Sequence, residues 1–371
     1  MSVFEKLDNL SRSALAGFDA IIDVRSPSEF AADHIPGAIN LPVLSDAERA
    51  EVGTIYVQES RFKARRIGAA YVSKNIAAHL TGPLADRPRD FRPLIYCWRG
   101  GMRSNSMATI LAAIGWRGGV IGGGYQAWRR LVVAELRDPG APFNVIVLDG
   151  QTGSGKTKIL EFLGERGIQT LDLEGLANHR GSVFGGFEAT PQPSQKLFES
   201  LVWERLSAFD SEKPTVLEAE SNLIGRLLLP DRLMQSMQIA PRIEVRADVG
   251  ERARYLLEAY GDIIACPKRL VAALERLRPF HAKSLIDGWL ARAQAAEFER
   301  LAGELMQSHY DPLYDRQRNR RCDRPFAVFS ASDLCGNGLA GVAGSIAELL
   351  SQLSDVDARQ PRNPAERIVS R

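Results

Sequence analysis

Cysteine is scarce. The 371 residues include four, Cys97, Cys266, Cys322 and Cys335, and no two form a C-x-x-C pair. That argues against a structural zinc site of the usual spacing and against a disulfide framework, and favours a reducing compartment. Net charge is also small: 47 Lys and Arg against 45 Asp and Glu leave +2. The total announces no acidic partner, although a local basic patch is compatible with it. No apolar run approaches the roughly 18 residues of a membrane-spanning helix. The segment MSVFEKLDNLSRS carries acids and lacks an apolar stretch, so a signal peptide is not expected. The expectation is a soluble, cytoplasmic protein with no membrane contact. Against these absences stand 45% hydrophobic and 25% charged residues. Those are ordinary globular proportions, in a chain long enough for two or three domains with their own cores.

Strand and helix signals alternate along the first third. Apolar runs at Ala20–Val24, Pro93–Tyr96 and Val120–Ile121 alternate with helical stretches such as Ala64–Leu80 and Ser104–Gly115. This order predicts a parallel α/β sheet. The breaker-rich Arg137-Asp-Pro-Gly-Ala-Pro142 reads as an interdomain joint. A second α/β unit follows, with strands expected at Asn144–Leu148, Ile168–Leu173 and Thr215–Glu220. The expected organisation is an N-terminal domain over residues 1–137 and a second α/β domain over 138–353. The second carries a helical extension at about 252–308, and a flexible tail follows at 354–371.

Gly150-Gln-Thr-Gly-Ser-Gly-Lys-Thr157 fits G-x-x-x-x-G-K-[ST], with a strand before it and a helix after it. In such a loop the backbone N–H groups converge on a phosphate, and the helix N-terminus adds partial positive charge. Gly150, Gly153, Ser154, Gly155, Lys156 and Thr157 are therefore assigned to diphosphate binding. Lys156 is expected to reach a terminal phosphate and Thr157 to hold Mg²⁺. A second carboxylate for the metal is sought at neighbouring strand ends, where Asp172, Glu174, Glu218 and Glu220 are candidates. His179 and Arg180, in a glycine-rich stretch, are candidate phosphate or RNA contacts. No tightly bound cofactor is expected; Mg²⁺ is expected to accompany the diphosphate.

Cys97-Trp-Arg-Gly-Gly-Met-Arg103-Ser104 also lies between a strand and a helix. Loop N–H groups, a helix N-terminus and the charges of Arg99 and Arg103 would favour a thiolate at Cys97 and hence a nucleophile. With Asp23-Val-Arg-Ser-Pro-Ser-Glu-Phe30, His34-Ile-Pro-Gly-Ala-Ile-Asn-Leu-Pro42 and Gly122-Gly-Gly-Tyr125, this loop makes residues 15 to 130 resemble the rhodanese family. The resemblance implies a fold in which the loop cysteine carries sulfur or selenium. Five residues separate Cys97 from Arg103, one more than in many sulfur carriers. The wider cradle suits a tetrahedral anion and also resembles the rhodanese-like phosphatases.

A rhodanese-like domain followed by a P-loop NTPase-like domain with a helical C-terminal part is an uncommon order. Together with Asp172-Leu-Glu-Gly-Leu-Ala-Asn-His-Arg-Gly181, Glu218-Ala-Glu-Ser221 and Ile224-Gly-Arg226, it resembles the family of tRNA 2-selenouridine synthases. The resemblance implies a transferase acting on 2-thiouridine in the anticodon loop of tRNA. The sulfur would first be geranylated from geranyl diphosphate. The geranylthio group would then be replaced by selenium from selenophosphate, whose synthetase becomes a partner. Cys97, Arg103 and Lys156 would be catalytic, and Trp98, Arg99, Gly100, Gly101 and Met102 would form the selenophosphate loop. Cys97 would either carry selenium as a perselenide or assist departure of the geranylthiol. Contacts to tRNA are expected at Arg316, Arg318, Arg320, Arg321 and Arg324, with Tyr310 and Tyr314 available for stacking. Two rivals stand beside this reading: a rhodanese-fold phosphatase fused to a P-loop small-molecule kinase, and a nucleotide-gated binding module with an inactive first domain.

Overall fold

The structure, a computed structural model, describes residues 4–137, 140–187, 190–321 and 324–359; the side chains at 317, 320, 321 and 354–359 fall outside the described set. Two compact units emerge. One comprises Met1–Pro139 with Pro193–Ala208, the other Gly140–Gln192 with Phe209–Arg371.

The first unit is built on a five-stranded parallel sheet. Its strands are β1 (Phe4–Leu7), β2 (Ala20–Asp23), β3 (Ile39–Asn40), β4 (Pro93–Tyr96) and β5 (Gly118–Ile121), in the order β1-β5-β4-β2-β3. Central β4 is buried along its whole length, as an apolar run flanked by parallel neighbours must be. Ile22, Ile95, Met107 and Leu111 have no exposure, and the helices Arg61–Thr81 and Met102–Ala113 close over them through Val72, Ile76 and Ala108.

The expected contiguous division of the chain needs one correction. The helix Gln195–Ala208 belongs to the first unit, not the second. Its Ser200 hydroxyl accepts from Trp128 Nε1 (3.3 Å), its Trp203 stands edge-on to Trp128 at 4.9 Å, and its Glu199 pairs with Arg129. Trp128 is 1% exposed, so the segment returns to cover an indole on the helix Gly124–Arg137.

The second unit has its own parallel sheet. Its strands are β6 (Val145–Asp149), β7 (Thr170–Leu171), β8 (Thr215–Glu218), β11 (Arg242–Arg246) and β12 (Ala327–Ser330), ordered β12-β11-β6-β8-β7. A short antiparallel hairpin, β9 (Leu223–Ile224) and β10 (Leu227–Leu228), follows β8. Central β6 is wholly buried. The helices Lys156–Glu165 and Gly336–Arg359 pack beside it through Ile159, Leu163, Leu339 and Ile346. A separate apolar cluster around Leu274, Leu277, Ile286 and Trp289 holds together the helices between Val249 and Leu305. The tail expected from residue 354 is helical through Arg359; residues 360–371 lie outside the described set. Among the described residues, no helix is long and apolar enough to cross a membrane.

Candidate functional site

Each unit presents a loop at the carboxyl end of its central strand, where open parallel sheets place ligands. In the first unit that loop starts at Cys97, directly after β4. Gly101 N donates to Cys97 Sγ at 3.2 Å, and Ser104 Oγ lies 3.2 Å from the sulfur. The loop is held from below by the glycine run: Tyr125 N donates to Cys97 O (2.8 Å) and Gln126 N to Trp98 O (3.1 Å). Gly124 has φ +57°, and a Cβ there would stand 2.2 Å from Cys97 O, so only glycine fits.

Burial of Cys97 pushes its thiol pKa up. The Ser104 hydroxyl and the backbone N–H groups of Ser104, Gly101 and Arg99 outweigh that burial, and the thiol ends below its ordinary value. Of the expected sources, the loop N–H groups are the ones that act, and the arginine charges are not among the causes. Arg103 turns away and pairs with Glu29 at 2.9 Å, and Arg49 pairs with the same carboxylate at 3.0 Å. Arg99 contributes through its backbone N–H while its side chain is exposed. Trp98 packs against Tyr125 at 5.2 Å, and Met102 is largely exposed.

Beneath this loop lies a network that sequence reasoning noticed as a motif but did not assign. Arg25 is 1% exposed; it donates to both Asp23 oxygens (2.6 to 3.1 Å) and to Asp33 O (2.6 Å), and it stacks on Tyr125 at 4.0 Å. Tyr125 in turn donates to Asp33 Oδ2 at 2.7 Å. A buried ion pair with this many hydrogen bonds fixes the two turns that frame Cys97.

In the second unit Gly150–Gly155 follows β6 and opens the helix Lys156–Glu165. Gly155 caps the helix with φ +77°. Lys156 Nζ donates to Gly150 O at 2.9 Å, which keeps the ammonium folded over the loop, and the Ser154 hydroxyl is buried with no hydrogen-bond partner among the described residues. Thr157 Oγ1 donates to Glu174 Oε2 at 3.3 Å, and Glu174 N donates to Glu218 Oε1 at 2.9 Å. Burial, reinforced by neighbouring carboxyl groups, raises Glu174 and raises Glu218 well above the ordinary range. Burial and then Glu174 push Glu220 up to about 8. These three candidates come together beside Lys156 and Thr157. Asp172 has a different duty: its Oδ1 accepts from Gly175 N (2.7 Å) and caps the helix Leu173–Ala177.

His179 accepts from Gly181 N at its Nδ1 (3.1 Å), and burial followed by the charges of Arg276 and Arg180 lowers its pKa. A neutral ring is not a phosphate cation. Arg180 pairs with Asp262 (2.9 Å) and lies between Phe187 and Tyr260, at 4.2 and 4.9 Å from their rings. Of the arginine cluster, Arg316 and Arg324 are exposed, while Arg318 pairs with buried Glu244 at 3.2 Å. The side chains of Arg320 and Arg321 lie outside the described set. Tyr310 is half-buried, packed against the apolar cluster of the helices.

Arg252 was missed by sequence reasoning. It is 1% exposed, donates to Thr152 O (3.1 Å) and forks onto Asp311 (2.8 and 2.9 Å), tying the phosphate loop to the helical extension. One of two arginines in the charged run Glu251–Arg254, it gave no signal of burial.

Residues 5–131 match the rhodanese-like domain family, and residues 143–281 match the family described as the tRNA 2-selenouridine synthase AAA domain. Among similar proteins, the tRNA 2-selenouridine synthase of Shewanella denitrificans is 33% identical over 82% of this chain and 89% of its own length. That of Aeromonas salmonicida is 36% identical over 77% of each chain. That of Cupriavidus necator is 34% identical over 81% of this chain and 89% of its own.

Proposed function

The chain belongs to the tRNA 2-selenouridine synthase family, and from that premise we propose that it is a transferase that converts 2-thiouridine in a tRNA anticodon loop to 2-selenouridine in two steps. The observation that carries the reading is the pairing, in one chain, of a thiol depressed by loop N–H donors with a phosphate loop whose lysine and threonine face a carboxyl cluster.

In the first step the thione sulfur attacks C1 of geranyl diphosphate. An S–C bond forms, the C–O bond breaks, diphosphate leaves and the uridine N3 proton is lost. The phosphate loop N–H groups and Lys156 suit the charge that builds on the departing diphosphate. Among the described residues, no three His, Cys, Asp or Glu side chains are arranged to hold a metal alone. Thr157 and Glu174 nevertheless offer adjacent oxygens, which fits a Mg²⁺ that takes its remaining ligands from phosphate and water. Bound there, Mg²⁺ would neutralise diphosphate charge.

In the second step the selenium of selenophosphate attacks C2: a C–Se bond forms, the C–S bond breaks and geranylthiol leaves, and water then cleaves the Se–P bond, releasing inorganic phosphate and returning a proton to the uridine N3. The Cys97 loop, with its inward N–H groups, suits the tetrahedral anion, and Cys97 acts at this step. The class of reaction that activates selenide with a phosphoryl donor, a selenophosphate synthetase, would supply the substrate. Arg316 and Arg324 are the exposed cations suited to tRNA phosphates.

The test is nucleoside mass spectrometry on an anticodon stem-loop carrying 2-thiouridine, incubated with geranyl diphosphate and selenophosphate. Cys97→Ala is expected to accumulate S-geranyl-2-thiouridine, and Lys156→Ala to lower its formation by about 100-fold or more. Equal loss of geranylation in both variants would refute the division of labour.

A further inference from the structure

The second unit contains a largely apolar pocket that the proposed chemistry leaves unassigned. Thr152 of the phosphate loop forms part of its wall. The rest of the wall is mostly hydrocarbon, supplied by Leu256, Ile263, Ile264, Phe298, Leu301 and Leu305 among others. The loop and the cavity are one structure. A Cβ on Gly153 would stand 3.0 Å from Leu256 Cγ, and Arg252 on the same helix binds Thr152 O at 3.1 Å.

The wall offers few free polar groups: among the described residues Tyr310 OH is buried without a hydrogen-bond partner, and two other hydroxyls are taken up by each other. Ser182 Oγ and Tyr260 OH are hydrogen-bonded at 2.9 Å. A nucleoside would need donors and acceptors to read its base and ribose; a hydrocarbon needs only the apolar wall. We propose that this cavity receives the hydrocarbon chain of the diphosphate donor and that Ala302 and Ile264 help set the chain length it admits. This rests on reading the phosphate loop as a prenyl diphosphate site. Ala302 lies on the face of the helix Phe298–Leu305 that carries Phe298, Leu301 and Leu305, and it is the smallest side chain in the wall.

The experiment uses the full chain with the thiouridine stem-loop and dimethylallyl, geranyl and farnesyl diphosphates. It also measures affinity for geranyl diphosphate, inorganic diphosphate and ATP. Geranyl diphosphate is expected to bind the wild-type protein about 100-fold tighter than inorganic diphosphate, since each buried methylene adds to affinity. Ala302→Phe is expected to lower the geranyl-to-dimethylallyl ratio of kcat/KM about tenfold while leaving inorganic diphosphate affinity unchanged. Ile264→Ala, which only removes atoms, is expected to raise the farnesyl-to-geranyl ratio about tenfold and keeps the test open should the phenyl variant not fold. Transfer from geranyl diphosphate with donor order unchanged in both variants would overturn the cavity assignment and leave the proposed function standing. Equal affinity for geranyl and inorganic diphosphate, or ATP binding tighter than either, would also overturn it. Tight geranyl diphosphate binding with no transfer by the wild-type protein would sink the proposed first step and leave the cavity assignment intact.

Discussion

Replacing Ser104 with alanine isolates the source of the Cys97 thiolate. Ser104 has no exposure, and its hydroxyl lies 3.2 Å from Cys97 Sγ and 3.1 Å from Gly101 O. When the thiol is neutral, the hydroxyl proton can rest on the carbonyl; when the thiolate forms, it can rotate onto sulfur and donate. A hydrogen bond to a charged group contributes about 1.5–3 kcal/mol, which corresponds to about 1–2 pKa units. Ser104→Ala is therefore expected to raise the thiol pKa by about that amount. Arg103→Gln is expected to move it by much less, because that guanidinium is spent on Glu29 at 2.9 Å. The assay is ultraviolet thiolate absorbance against pH, with Cys97→Ser subtracted to remove the other three cysteines. A larger shift for Arg103→Gln than for Ser104→Ala would refute the argument that dipoles, not arginine charge, set this pKa.

Two further outcomes follow from the geometry. Gly124→Ala places a Cβ 2.2 Å from Cys97 O at φ +57°, so urea unfolding should show the first unit destabilised by about 4 kcal/mol or more. Glu220 titrates near 8 in the folded chain against an ordinary 4.5, chiefly through burial and then through Glu174. The folded state therefore keeps a proton that the unfolded state releases across this window, and stability should fall as pH rises from about 4.5 to 8. Thermal denaturation of Glu220→Gln should show a shallower decline than wild type; parallel curves would contradict the assignment.

What was legible in the sequence was local. The phosphate and cysteine loops are read from contiguous residues because each lies between one strand and one helix. Strands β2, β4, β6 and β8 are apolar runs, and their burial matches that pattern. Strand β11 was missed because Arg242-Ile-Glu-Val-Arg246 alternates charge with hydrocarbon, as an exposed strand would. It is nonetheless almost wholly buried, since Arg242 pairs with Asp149 and Glu244 with Arg246 and Arg318. The placement of Gln195–Ala208 depended on Trp128, seventy-two residues from Ser200. The partner of Arg103 is seventy-four residues away. No periodicity encodes such pairings, and the same is true of the cavity, whose wall gathers side chains from several helices.

The two loops share a position on their sheets but solve opposite electrostatic problems. At Cys97 the group to be stabilised is a single negative charge on a polarizable sulfur. Neutral N–H and O–H dipoles suffice for that, which leaves the loop's arginine to brace Glu29. At Lys156 three carboxyl groups are buried beside one ammonium, and burial first, then repulsion among the carboxyl groups, makes their ionisation costly. A fold retains such a cost only where something offsets it. A diphosphate accompanied by a divalent cation would do so, taking the ammonium for phosphate and the carboxylates for metal. On this argument the pH dependence of stability in the second unit should flatten when Mg²⁺ and inorganic diphosphate are added together. It should flatten less with either alone, because only the pair meets both signs of charge at once.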